Sequence, residues 1–135
     1  GLICQRLLKV LCPDCKIPIN SVLDRYSPAD LQRIMSVAEL DKVYVIGHGC
    51  ENCRETGIVG RTVVAETVLT DDKLLSFIRQ RDKLSALAYW RNELRGLTMK
   101  DHALLKISQG TVDPFQTEAV VGRLVKNDDA MHHLR

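Results

Sequence analysis

The chain carries two Cys-x-x-Cys pairs, Cys12-Pro13-Asp14-Cys15 and Cys50-Glu51-Asn52-Cys53, with residues 16–49 between them. A two-residue gap lets both thiolates of a pair turn toward one ion, and two such knuckles supply a tetrahedral set of four sulfurs. Any fold that uses this pattern must bring residues 12–15 and 50–53 together. The interval exceeds the roughly 15–20 residues of the common zinc-ribbon spacing, so a folded segment has to fill it.

Three chemistries fit two such pairs. A structural zinc site held by Cys12, Cys15, Cys50 and Cys53 has four thiolate ligands and no position left for water, so its role is geometric. Two disulfides would require an oxidising compartment, and Arg6 and Lys9 interrupt the first apolar stretch too early for a signal peptide. A thioredoxin-like role would place one pair between a buried strand and a long helix, which neither flank suggests. Cys4 is left over and reads as a small, half-buried apolar residue. His48, flanked by Gly47 and Gly49, lies beside the second knuckle. With four cysteines available, it reads as an exposed or supporting residue rather than a substitute ligand. Four thiolates on a zinc ion leave a formal charge of −2. Lys16, Arg54 and the knuckle N–H groups are placed to offset it, unless the two side chains are simply solvated turn residues.

Around the cysteines the pattern predicts a strand over 5–12, with Leu8, Val10 and Cys12 on one face. Ser27-Pro28-Ala29-Asp30 predicts a helix start, with Ser27 as N-cap, Pro28 first in the helix and Asp30 completing a capping box. Leu31, Ile34, Met35 and Ala38 continue it at helical spacing. The β-branched run 43–46 leads into the second knuckle, Gly57 and Gly60 bracket a turn, and residues 61–69 read as a strong strand. From Thr70 the character changes. Asp71-Asp72 opens a helix with Leu74, Leu75 and Ile78 inward. Leu87, Trp90, Leu94 and Leu97 mark a second, interrupted at Gly96. Thr98-Met99-Lys100-Asp101 is a capping box for a third, with Ala103, Leu104 and Ile107, ended by Gly110. Asp113-Pro114-Phe115-Gln116 starts a fourth, with Val120, Val121, Leu124 and Val125 inward. The expected class is α+β: a small strand-based zinc-knuckle lobe with one inserted helix (1–69), then a compact lobe of about four helices (70–126). A polar tail (127–135) with His132 and His133 reads as a disordered end.

Function classes narrow by what is missing. Nineteen Lys and Arg against 17 Asp and Glu give a net charge of +2, and the chain has one Trp, three Tyr and two Phe. An independent zinc-ribbon module that binds nucleic acid would show a basic excess with aromatics interleaved. No apolar run reaches the roughly 18 residues of a membrane-spanning helix, so no membrane insertion is expected. No GxxxxGK[ST], GxGxxG or HExxH motif occurs, and no catalytic residue is nominated. Beginning at Gly1-Leu2-Ile3 inside an apolar run, the sequence reads as a piece of a longer protein.

Two segments carry a resemblance. Residues 5–16, Gln-Arg-Leu-Leu-Lys-Val-Leu-Cys-Pro-Asp-Cys-Lys, resemble one half of the tetracysteine region of the type II secretion and type IV pilus assembly ATPases. Residues 49–61, Gly-Cys-Glu-Asn-Cys-Arg-Glu-Thr-Gly-Ile-Val-Gly-Arg, are similar to the other half, followed by a strand reaching Glu66. The order of capped helices after it also fits, to about Lys126. The resemblance implies the C-terminal end of a hexameric cytoplasmic motor, lying beyond its P-loop. ATP and magnesium would act only in the parent protein. The implied partners are neighbouring subunits of a homo-hexamer and an inner-membrane platform protein, with the location cytoplasmic and peripheral to the inner membrane. The implied role of this region is structural, in assembly and docking.

Overall fold

The computed structural model describes residues 1–124. The expectations placed on Val125, on the boundary at 126 and on the tail with His132 and His133 lie outside the described residues. Four strands are present among the described residues: β1 (Leu2–Leu11), β2 (Ile17–Pro18), β3 (Tyr44–Val45) and β4 (Ile58–Val68). Five α-helices accompany them: α1 (Pro28–Met35), α2 (Asp72–Arg79), α3 (Lys83–Asn92), α4 (Met99–Ser108) and α5 (Pro114–Val121). The α+β class holds, with one helix inserted between the knuckles and four after β4.

The strands pair as two nested antiparallel ladders. β1 pairs with β4 from Leu2↔Val68 to Leu11↔Ile58, with a register shift between Val10 and Leu11. Inside it, Ile17 pairs with Val45 and Pro18 with Tyr44. Chain direction alone then requires the turn after β1 and the turn before β4 to face each other. That is how residues far apart in sequence place both knuckles at one joint.

Strand limits differ from the pattern at both ends. β1 starts at Leu2 because β4 offers partners up to Val68, and it stops at Leu11 because Cys12 already belongs to the turn. β4 starts at Ile58, so Gly60 lies inside a strand opposite Val10 and only Gly57 belongs to the turn. Cys4 is exposed rather than half-buried, on the outer part of the ribbon.

Helix starts follow their capping residues. The hydroxyl oxygens of Ser27 and Thr98 and the carboxylates of Asp71, Asp82 and Asp113 each accept a backbone N–H in the first turn of the next helix. At Thr98 the box is complete, with the Asp101 carboxylate accepting the Thr98 N–H at 2.9 Å. The Asp30 carboxylate pairs with Arg33 at 2.9 Å. α3 ends at Asn92, earlier than the spacing of Leu94 and Leu97 suggested. Gly96 returns its N–H to Trp90 O at 2.9 Å and lies flat on the indole, where a Cβ would come within 2.1 Å of Cε2. Met35, Ile78, Leu97 and Val120 are exposed rather than inward, so the apolar stripes are narrower than helical spacing implied.

One core runs through both stretches. Leu8, Ile19, Ile34, Val43, Val45 and Val64 meet Ala103, Ile107, Val112 and Leu124. Each fully buried aliphatic side chain contributes on the order of 1.5–3 kcal/mol. Arg33 of α1 grips Glu118 of α5 through two bonds of 2.8 Å, and Glu118 also accepts the Leu124 N–H at 3.0 Å. Tyr26 stacks on Phe115 with centroids 4.4 Å apart.

Candidate metal centre

Each knuckle is shaped by its own backbone bonds. In the first, the Cys12 N–H donates to Gly57 O at 2.9 Å and the Lys16 N–H to Cys12 O at 3.0 Å. In the second, the Glu55 N–H donates to Cys50 O at 2.8 Å, while Arg54 and Glu55 take φ of 54° and 64°. Two left-handed residues in succession turn the chain sharply enough to send it into β4. The knuckles can meet because residue 47 has no side chain. A Cβ there would lie 1.9 Å from Cys15 O.

The four sulfurs converge. Cys12 and Cys50 Sγ are 3.6 Å apart, Cys15 and Cys53 Sγ 3.8 Å, and Cys50 and Cys53 Sγ 3.8 Å. All four lie within 4.8 Å of one another. A tetrahedron with metal–sulfur bonds of about 2.3 Å has edges of about 3.8 Å. The cluster can therefore hold a metal ion with little rearrangement. Cys12 and Cys53 are buried, Cys15 and Cys50 half-buried, and all five cysteines are free thiols.

Donors surround the sulfurs. The Cys53 sulfur accepts the N–H groups of Cys50 at 3.2 Å and Gly57 at 3.1 Å. Burial alone would push this thiol up, but these two donors, together with bonds from the Cys15 and Cys50 thiols, outweigh it and bring it down to about 6. Cys15 goes the other way, to about 12, because burial and the neighbouring thiols of Cys53, Cys12 and Cys50 all disfavour its charge. Asn52 extends its amide toward the Cys12 sulfur at 3.8 Å.

Of the two candidate counter-charges, Arg54 takes the alternative of a solvated turn residue and Lys16 takes neither expected role. Lys16 reaches Gly110 O at 2.9 Å and lies 4.4 Å from the Tyr44 ring centroid, so it serves the end of α4 rather than the sulfurs. Arg54 is exposed and, among the described residues, bonds no sulfur. His48 is exposed, with Nε2 3.4 Å from the Arg25 guanidinium, and stands outside the four-sulfur group. Sequence reasoning missed Asn52, the donor role of Gly57 and the approach at Gly47. The Asn between two cysteines was a visible signal for the first, whereas the other two depend on pairing across the chain.

Residues 1–123 match the family described as type II/IV secretion system protein. The chain belongs to the type II/IV secretion system protein family. It is 31% identical over 112 residues to the type II secretion system ATPase E of Vibrio cholerae, covering 82% of this chain and 21% of that protein. It is 28% identical over 112 residues to the type IV pilus assembly ATPase PilB of Thermus thermophilus, covering 82% of this chain and 12% of the relative. The type II secretion system protein E of Dickeya dadantii is 28% identical over 110 residues, 20% of its length. The chain thus spans about a fifth or less of these members of the secretion family. The resemblance drawn from the paired cysteines and the Thr56-Gly57…Gly60-Arg61 segment is borne out.

Proposed function

We propose that this chain is the C-terminal zinc-binding and helical region of a hexameric ATPase that powers type IV pilus assembly or type II secretion. Its role there is structural: Cys12, Cys15, Cys50 and Cys53 hold one zinc ion, which fixes the joint between the two ladders. The observation that carries this is the convergence of four sulfurs, within 4.8 Å of one another, in a chain of this family. A set of four sulfurs in tetrahedral array suits zinc and leaves no open position, so the ion orders the chain rather than acting on a substrate. ATP and magnesium act in the parent protein, outside these residues, since the 135 residues contain no phosphate-binding loop.

The zinc-knuckle lobe (1–69) presents the rigid surface, and the described part of the helical lobe, residues 70–124, packs behind it. A surface of that kind suits a neighbouring subunit of the hexamer and the inner-membrane platform protein. The location is cytoplasmic, peripheral to the inner membrane through those partners. Among the described residues no helix is long and apolar enough to cross a membrane. A nucleic-acid-binding ribbon has weaker support, because the net charge is only +2.

The test is the double change Cys50→Ser and Cys53→Ser in the full-length protein. Fibre assembly or secretion should be abolished while nucleotide binding survives. Normal assembly by this variant would refute the reading.

A further inference from the structure

The cysteine region is tied to one short stretch of the helical part. The Leu11 N–H donates to Thr111 O at 2.9 Å, the Lys16 ammonium to Gly110 O at 2.9 Å, and the Ile46 N–H to Asp113 Oδ2 at 3.0 Å. The donors bracket the cluster: Leu11 adjoins Cys12, Lys16 adjoins Cys15, and Ile46 opens the turn that carries Cys50. The acceptors all lie in the corner Gly110–Asp113 between α4 and α5. Asp113 is 3% exposed, and its other oxygen caps α5 by accepting from Phe115 N at 2.8 Å and Gln116 N at 3.2 Å. Tyr44 closes the corner from the side, close enough that a Cβ at residue 110 would meet its ring at 2.8 Å.

Given the zinc reading above, we infer that metal occupancy sets the seat of α5: the corner Gly110–Asp113 is a joint that senses whether the four sulfurs are held together. Leu11 is held by the outer ladder, but Lys16 and Ile46 keep their spacing to it only while both knuckles are fixed. When the knuckles separate, Gly110 O and the Asp113 carboxylate lose their partners together. The first turn of α5 then loses the anchor of its own cap. α5 carries Glu118, which grips Arg33, so the change passes on to α1.

The α2–α3 pair meets this route only at a distance. Within the pair, the Tyr89 hydroxyl bonds the Asp71 carboxylate, Phe77 lies 5.9 Å from Tyr89, and Lys73 stands 5.0 Å over the same ring. Its tie to α4, the ion pair of Arg91 with Asp101, is made at the first turn of α4, the opposite end from the corner. Metal loss should therefore loosen the chain selectively, reaching the corner Gly110–Asp113 and α5 while sparing the intervening α2 and α3.

Amide hydrogen exchange on the full chain, zinc-loaded and after chelation, reads this directly, with metal content measured in the same samples. Chelation should raise exchange in the knuckles and in residues 110–118 together, leaving 72–92 unchanged. Exchange that rises in the knuckles alone, or everywhere including 72–92, overturns the joint. Lys16→Met tests it with the metal in place. This variant should keep one zinc per chain and exchange roughly tenfold faster at 110–116, as expected for losing one charged hydrogen bond. Wild-type exchange there at full zinc content would sink the joint while leaving the zinc reading intact. Well under one zinc per chain in the wild type would sink both.

Discussion

Replacing Gly47 by alanine is the smallest change that should open the sulfur cluster without touching a sulfur. The added Cβ would stand 1.9 Å from Cys15 O and 2.9 Å from its carbonyl carbon. Ordinary carbon–oxygen contacts are about 3.3 Å or longer, so the two knuckles must part by roughly 1.4 Å. Both obstructing atoms are backbone, and no side-chain rotation relieves the contact. Metal–sulfur distances tolerate only about ±0.2 Å, several times less than that displacement. If the strain falls on the site, the usual overpacking cost of about 1–3 kcal/mol appears as a zinc affinity lowered roughly 5- to 150-fold. Competition with a chromophoric chelator measures it. Gly60→Ala is the control, since a Cβ at residue 60 meets nothing within 4 Å. Zinc affinity within twofold of wild type for Gly47→Ala would refute the reasoning, because the knuckles would then not need this approach.

Other expectations follow from the same contacts. Glu118→Gln should cost about 2 kcal/mol, because a charged bidentate pair is lost while Arg33 keeps Asp30. Although burial alone would raise it, bonds from Arg33 and the Leu124 N–H hold the Glu118 carboxyl below its ordinary value of 4.5. The stabilisation is therefore fully present above about pH 4.5 and lost as pH falls through the lower folded value. The gap between the melting curves of wild type and Glu118→Gln should accordingly hold above about pH 4.5 and narrow as pH falls below it, and a constant gap would contradict this. Thr98→Ala removes one half of the complete capping box and should lower stability by about 1 kcal/mol, read as a melting shift of a few degrees. An unchanged melt would mean that α4 is held by packing alone.

The features legible in the sequence are those whose physics is local. Ser27, Asp71, Thr98 and Asp113 cap helices because a short polar side chain reaches an amide two or three residues away, whatever the rest of the chain does. The cysteine pairs are legible for the same reason, since the two-residue gap carries its own geometry. The role of Lys16 is not legible in the sequence, because its partner, Gly110 O, lies 94 residues further along the chain. Met35 and Ile78 keep helical spacing and are still 60% and 50% exposed. A helix of eight residues packs only a narrow stripe, and which stripe is decided by its neighbours. Leu94 and Leu97 continue the period of α3, but Gly96 folds back on Trp90 and ends the helix first.

The position of the sulfurs follows from the unequal lengths of the two ladders. The outer ladder joins ten residue pairs, enough to hold its own register. The inner one joins only two, and the loop it must close runs from residue 19 to residue 43. Two pairs cannot offset the entropy of ordering that loop, because two-stranded pairings are marginal in water even when longer. Something else has to bring Ile17 to Val45. The core does part of this by burying Ile19, Val43 and Val45 completely, but those side chains pack only after the loop has closed. A zinc ion held between residues 12–15 and 50–53, as proposed, would act at the mouth of the same loop and shorten the search for the inner pairing. On this reasoning the ion belongs at the junction of the long ladder and the short one, where the backbone leaves the most to be supplied. A site elsewhere on the long ribbon would constrain strands whose register is already set.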